Sequence, residues 1–143
     1  MSIVFDEDVV LAKVSTIRKC VATIRLLADE IPGPDKEWMR LDLTALNLQR
    51  AVEAALDVAT HLISANGWEL PRDSRHAFRI VAGRGVVSAA SQEVLDGMVG
   101  FRNIAVHNYR ELDPAIVRGI AAHHLGDLET FAGEILKMTV AAA

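Results

Sequence analysis

The sequence predicts an all-α fold, an up-down bundle of about five helices forming one domain over residues 1-143. Apolar side chains recur at alternating spacings of four and three along long segments, the seam of helices that pack in a bundle. Hydrophobic residues make up 51% of the chain but aromatic ones only 5%. A core of Ala, Val, Leu and Ile suits close helix packing better than a sandwich of large β-branched and aromatic faces. The four Pro, with Gly33, Gly67, Gly83 and Gly85, fall at segment ends, which agrees with long helices. At 143 residues the chain can bury a sizeable core within one domain.

The first helix is read from about Asp6 to Ile31, with Val10, Val14, Ile17, Val21, Ile24, Ala28 and Ile31 on its seam. Asp6, Glu7 and Asp8 sit at its start, where the helix dipole favours negative charge, and Pro32-Gly33-Pro34 ends it. A second long helix runs from about Lys36 to Ala65 and stops at Asn66-Gly67, residues that tolerate a positive φ. Trp68-Glu69-Leu70-Pro71 crosses to a short third helix capped by Asp73 or Ser74 and ended by Gly83 to Gly85. The fourth starts near Ser88 or Ser91 and runs through Val94, Leu95, Met98, Phe101 and Ala105. Gly97 and Gly100 inside it each cost about 1 kcal/mol relative to Ala. Close approach of another backbone, within the fold or across a dimer, would offset that cost. The fifth begins at Asp113-Pro114 and runs to about Met138, with His124 as a polar guest on its apolar face.

Charge and cysteine usage narrow the function classes. A net charge of −4 gives no support to a basic, duplex-coating protein, though it leaves room for a local basic cleft. The single Cys20 cannot form an internal disulfide and falls on an apolar helix face, where a buried, inert thiol is expected. No Cys/His set has zinc-site spacing, so neither metal nor cofactor is expected. The acidic N-terminus lacks the basic and apolar regions of a signal peptide, and no apolar run approaches the ~20 residues that span a bilayer. The expected location is the cytoplasm, with no membrane partner.

One stretch carries chemistry: Phe101-Arg102-Asn103-Ile104-Ala105-Val106-His107-Asn108-Tyr109. On a helix Asn103 and His107 are four apart and share a face. The long stem of Arg102 can swing its head toward the same spot. Tyr109 joins them only if the helix ends there or a second subunit supplies it. Without a carboxylate pair or metal cluster this is a poor protease or glycosidase set, but it suits phosphodiester chemistry. An imidazole can take the proton of a ribose 2′-hydroxyl or give one to the leaving 5′-oxygen. A guanidinium can stabilise the charge that builds at phosphorus, and Asn103 can hold the phosphate or orient the imidazole. RNA brings its own nucleophile, so no metal is required and a 2′,3′-cyclic phosphate results. The bland alternative has Arg102 capping the helix, His107 paired with the dipole on the surface, and Tyr109 packed on the fifth helix.

Other polar residues say less. His61 reads as an i, i+4 partner of Asp57, His76 as exposed, and the adjacent His123 and His124 diverge too far to share a metal. Arg72, Arg75 and Arg79 follow helical spacing and form either a solvated face or a local RNA-backbone track.

The segment Arg102-Asn103-x-x-x-His107-x-Tyr109 resembles the RxxxxHxY signature of HepT-type toxins in the HEPN superfamily. Leu48 to Ile63 and the stretch from Leu95 through Asp113 are similar to that family's second helix and motif region, so the resemblance covers most of the chain. It implies an all-α homodimer with paired motifs facing one cleft, and metal-independent endoribonuclease activity. Catalysis then falls to Arg102, His107 and Asn103. The resemblance also implies a toxin–antitoxin role with an MNT-type nucleotidyltransferase as antitoxin, which transfers AMP from ATP to the motif tyrosine, here Tyr109. Negative phosphates beside the cleft would repel RNA and occupy arginines. Two other readings stand beside it: a non-catalytic HEPN module that only binds a nucleotidyltransferase, and a purely structural bundle.

Overall fold

Six α-helices are formed among the described residues of a computed structural model, which are 2–30 and 33–142. They are α1 (Glu7–Glu30), α2 (Glu37–Asn66), α3 (Ser74–Gly83), α4 (Ala89–His107), α5 (Pro114–His123) and α6 (Leu125–Ala142), with single 3-10 turns at Pro34–Lys36 and Tyr109–Glu111. Among those residues there is no strand. The all-α expectation holds.

α2 is the organising element, because it packs against each of the other five helices. Its sequence explains this. Ala51, Ala54, Ala55 and Ala59 are buried together with Val52 and Val58, and such small side chains let neighbouring helices approach on several sides. α1 lies along α2 with Val10, Val14, Ile17, Val21 and Ile24 buried, the seam read from the sequence. Ala28, also read onto that seam, is exposed near the end of α1, while Ile31 and the stop residue Pro32 lie outside the described residues. Phe78 of α3 meets Phe131 of α6 edge to face, centroids 6.2 Å apart at 87°.

The predicted stops and caps are formed. Gly67 adopts φ 64°, ψ 30° and its N–H donates to the last carbonyls of α2. Asp73 caps α3 by accepting from the His76 N–H, and Ser88 caps α4 by accepting from the Ser91 N–H. The Asn66 side chain clasps the N-terminal segment, accepting from Val4 N and donating to Val4 O, both at 2.8 Å.

The fifth predicted helix is instead two. His124 leaves the helical region (φ −125°, ψ 4°) and its ring lies 2.8 Å from the Asp127 carboxylate. On either side of the break, α5 packs on α2 and α6 packs chiefly on α1.

Candidate active site

α4 ends where the motif needs a corner. Asn108 turns away (φ −152°, ψ 55°) while its N–H still donates to Ile104 O at 2.8 Å. The chain passes through the 3-10 turn Tyr109–Glu111 to α5, where Asp113 caps the helix by accepting from the Ala115 N–H at 2.9 Å. Asn103 and His107 are both exposed, and neither side chain has a hydrogen-bond or ion-pair partner among the described residues. An uncommitted imidazole at a helix end is free to trade a proton with a bound ligand.

Arg102 does not swing toward them. Its side chain is only 14% exposed; Nη2 donates to Ser74 Oγ on α3 at 2.7 Å, and Nε lies 3.1 Å from Glu53 Oε1 on α2. The Nε–H does not point at that oxygen, so the contact is an ion pair by distance and not a hydrogen bond. Arg102 thus ties three helices together rather than capping α4. Its charge is fixed in place and partly balanced by Glu53 before any substrate arrives.

Tyr109 turns the other way. Its hydroxyl donates to Asp42 Oδ1 on α2 at 2.5 Å, although the residue is 48% exposed. That hydrogen bond, then burial, then the carboxylate's charge push the phenol up to about 12. Beside it lies a cavity of about 230 Å³ lined by Trp38, Asp42, Tyr109, Leu112, Pro114 and Val117. The indole of Trp38 is 63% exposed.

Arg72, just before α3, and Arg75 and Arg79 on it are all exposed, and Arg75 folds across α4, where its Nε donates to Asp96 O at 3.0 Å. Arg75 Nη2 lies 3.1 Å from where a Cβ on Gly100 would sit, so Gly100 makes room for a guanidinium and not for a backbone. Gly97 faces open space. It borders an apolar groove of about 580 Å³ between α4 and α5, together with Met98, Phe101, Ile104, Ile116 and Ile120.

Two histidine expectations are corrected. His61 Nε2 accepts from Asp6 N at 2.9 Å, while Asp57 pairs with Lys13 across α1 and α2. His76 is half-buried rather than exposed, because its Nδ1 accepts from Arg72 N at 2.9 Å. Cys20 is buried, and burial raises its thiol as expected of an inert side chain. Glu53, Ser74 and Asp42 were not singled out as site residues. A carboxylate at 53 amid buried Ala51, Val52, Ala54 and Ala55 was the one available signal.

A family model described as Ribonuclease HepT-like matches residues 17–135. The chain belongs to the HepT-like ribonuclease family. It is 35% identical over 124 residues to the mRNA nuclease HepT of Shewanella oneidensis, covering 87% of this chain and 93% of that one. Its fold is similar to that of a tri-AMPylated Shewanella oneidensis HEPN toxin in complex with MNT antitoxin (TM-score 0.82, 34% identity, 91% of this chain and 98% of that one). A toxin–antitoxin structure with AMP-PNP is similar to the same degree, with a TM-score of 0.83 at 33% identity over 91% and 98% of the two chains. A cytosolic Bacillus subtilis protein of unknown function shares the fold alone, with a TM-score of 0.83 at 14% identity. No helix among the described residues is long and apolar enough to cross a membrane.

Proposed function

We propose that this chain is the toxin of a HepT/MNT-type toxin–antitoxin system, acting in the cytoplasm as a metal-independent endoribonuclease. The carrying observation is the exposed, uncommitted His107 at the end of α4, one helix turn and a half beyond a fixed Arg102. His107 is the general acid/base, taking the 2′-hydroxyl proton and returning one to the 5′-oxygen, while Asn103 on the same face orients phosphate or imidazole. Arg102 supplies positive charge to the phosphorane-like transition state. Its ties to Ser74 and Glu53 set its direction in advance.

The working unit is a homodimer of the domain 1-143, with paired motifs at one cleft and the apolar groove of α4 and α5 as its seam. Ile104 and Ile116 on that groove are 37% and 45% exposed in the single chain, which supports its being covered. Arg72 and Arg79 extend an RNA-backbone track from the cleft, and Arg75 serves α3–α4 packing first. Neutralisation is AMP transfer to Tyr109 by an MNT-type nucleotidyltransferase.

The test is cleavage of labelled single-stranded RNA in EDTA by the wild type and by His107→Ala prepared identically. The expected result is wild-type cleavage leaving cyclic phosphate ends, and loss of about 10²-fold or more in the variant with helicity unchanged. Equal cleavage by both chains removes His107 from the mechanism. A folded wild type with unmodified Tyr109 that binds the nucleotidyltransferase but does not cleave supports the binding-module reading.

A further inference from the structure

The hydrogen bond between Tyr109 and Asp42 bears on how the tyrosine is modified, and the inference rests on Tyr109 being the AMP acceptor. A phenol is a weak nucleophile until its proton leaves. In this chain the proton already has a destination. Tyr109 Oη donates to Asp42 Oδ1 at 2.5 Å, and the two residues come from elements 67 positions apart that the fold brings together. The phenol stays half-exposed, so an incoming nucleotide can reach its oxygen without the turn unfolding. Asp42 is itself exposed on α2, so a proton it accepts can pass on to water.

We propose that Asp42 is a catalytic residue of the modification, supplied by the protein being modified: it accepts the Tyr109 proton as Oη attacks the α-phosphorus of a nucleoside triphosphate. In that step the O–H bond breaks and the Oη–P bond forms. The bond from the α-phosphorus to the bridging oxygen breaks, and pyrophosphate leaves with the electron pair. Asp42 carries the proton. Such a base is needed because a phenol, whose ordinary value is about 10, holds almost no phenolate near neutral pH. Once esterified, Oη cannot donate to Asp42, and the new phosphodiester anion beside the carboxylate is repelled. Modification therefore also releases the Tyr109–Glu111 turn from α2.

The same contact could act as a latch that suppresses attack, and the two roles move a rate in opposite directions. The experiment follows AMP addition by intact mass, using the full chain, a saturating cognate MNT-type nucleotidyltransferase and magnesium–ATP. It compares wild type, Asp42→Asn, Asp42→Glu and Tyr109→Phe, each checked for helicity and for partner binding. The expected result is a saturated rate at least tens of times lower for Asp42→Asn, with partial recovery in Asp42→Glu. An unchanged or faster rate in Asp42→Asn overturns the proposal while leaving Tyr109 as the acceptor. AMP addition to Tyr109→Phe, or none to the wild type, instead overturns the reading of Tyr109 itself.

Discussion

At the residue scale, the proposed chemistry rests on how differently four neighbours are held. His107 and Asn103 are left unengaged, whereas Arg102 and Tyr109 are each fixed by a partner from another helix. Tyr109 gives a direct test, because it is the only tyrosine in the chain and its titration has no competitor. The phenol should titrate at about 12, above the ordinary value of about 10. The sign follows: a folded-state value above the unfolded one means the contact stabilises the fold fully below about pH 10. That contribution is lost as pH climbs through about 12. Ultraviolet tyrosinate absorbance across alkaline pH should show this, and Asp42→Asn should bring the midpoint back toward 10. A wild-type midpoint at the ordinary value would mean that the contact is not kept in solution. The motif residues were legible in the sequence because they share one helix end. Their partners were not, because Ser74 and Asp42 stand 28 and 67 positions away and nothing in the local pattern marks them.

At the element scale, α2 serves both as core and as the backing of the site, contributing Glu53 to Arg102 and Asp42 to Tyr109. The Arg102–Glu53 pair is unequal, 14% exposed on one side and 41% on the other, so it is only partly screened by water. A double-mutant cycle with Arg102→Ala and Glu53→Ala should give a coupling of about 1 kcal/mol by urea unfolding. A coupling near zero would mean that Ser74 alone holds the guanidinium. Helix ends were the most legible feature, since Asn66-Gly67, Asp73, Ser88 and Asp113-Pro114 each carry their own capping chemistry. The division at His124 was hidden because the apolar period passes through it with no Pro or Gly at that position. At the tertiary level α5 packs on α2, whereas α6 lies chiefly along α1 and reaches α2 only in part.

At the scale of the whole molecule, the net charge of −4 conflicts with an RNA substrate only if charge is averaged. Two copies joined along α4 and α5 would bring two Arg102/His107 sets to one cleft, so assembly and activity should fail together. Gly97 separates stability from assembly, since a Cβ there meets nothing within 4 Å in the single chain. Gly97→Ala should raise unfolding stability by up to about 1 kcal/mol through helix propensity. Gly97→Leu should fill the groove, shift sedimentation toward monomer and lower cleavage in step. A dimeric, fully active Gly97→Leu chain would move the seam elsewhere. Fold class was legible from periodicity and composition, but the groove was not. The sequence marked Gly97 and Gly100 as one feature, and the fold gives them separate uses.

The exposed indole of Trp38 also equips the protein with a built-in optical reporter. The chain has only two tryptophans, and the other, Trp68, is half-buried beneath the Arg84 guanidinium at 5.1 Å. Trp38 should therefore supply the red-shifted, acrylamide-quenchable part of the emission, from the lining of the cavity that Tyr109 also borders. A stopped-flow trace of that signal could follow arrival of a nucleotide or an antitoxin in real time, with no dye attached to the protein.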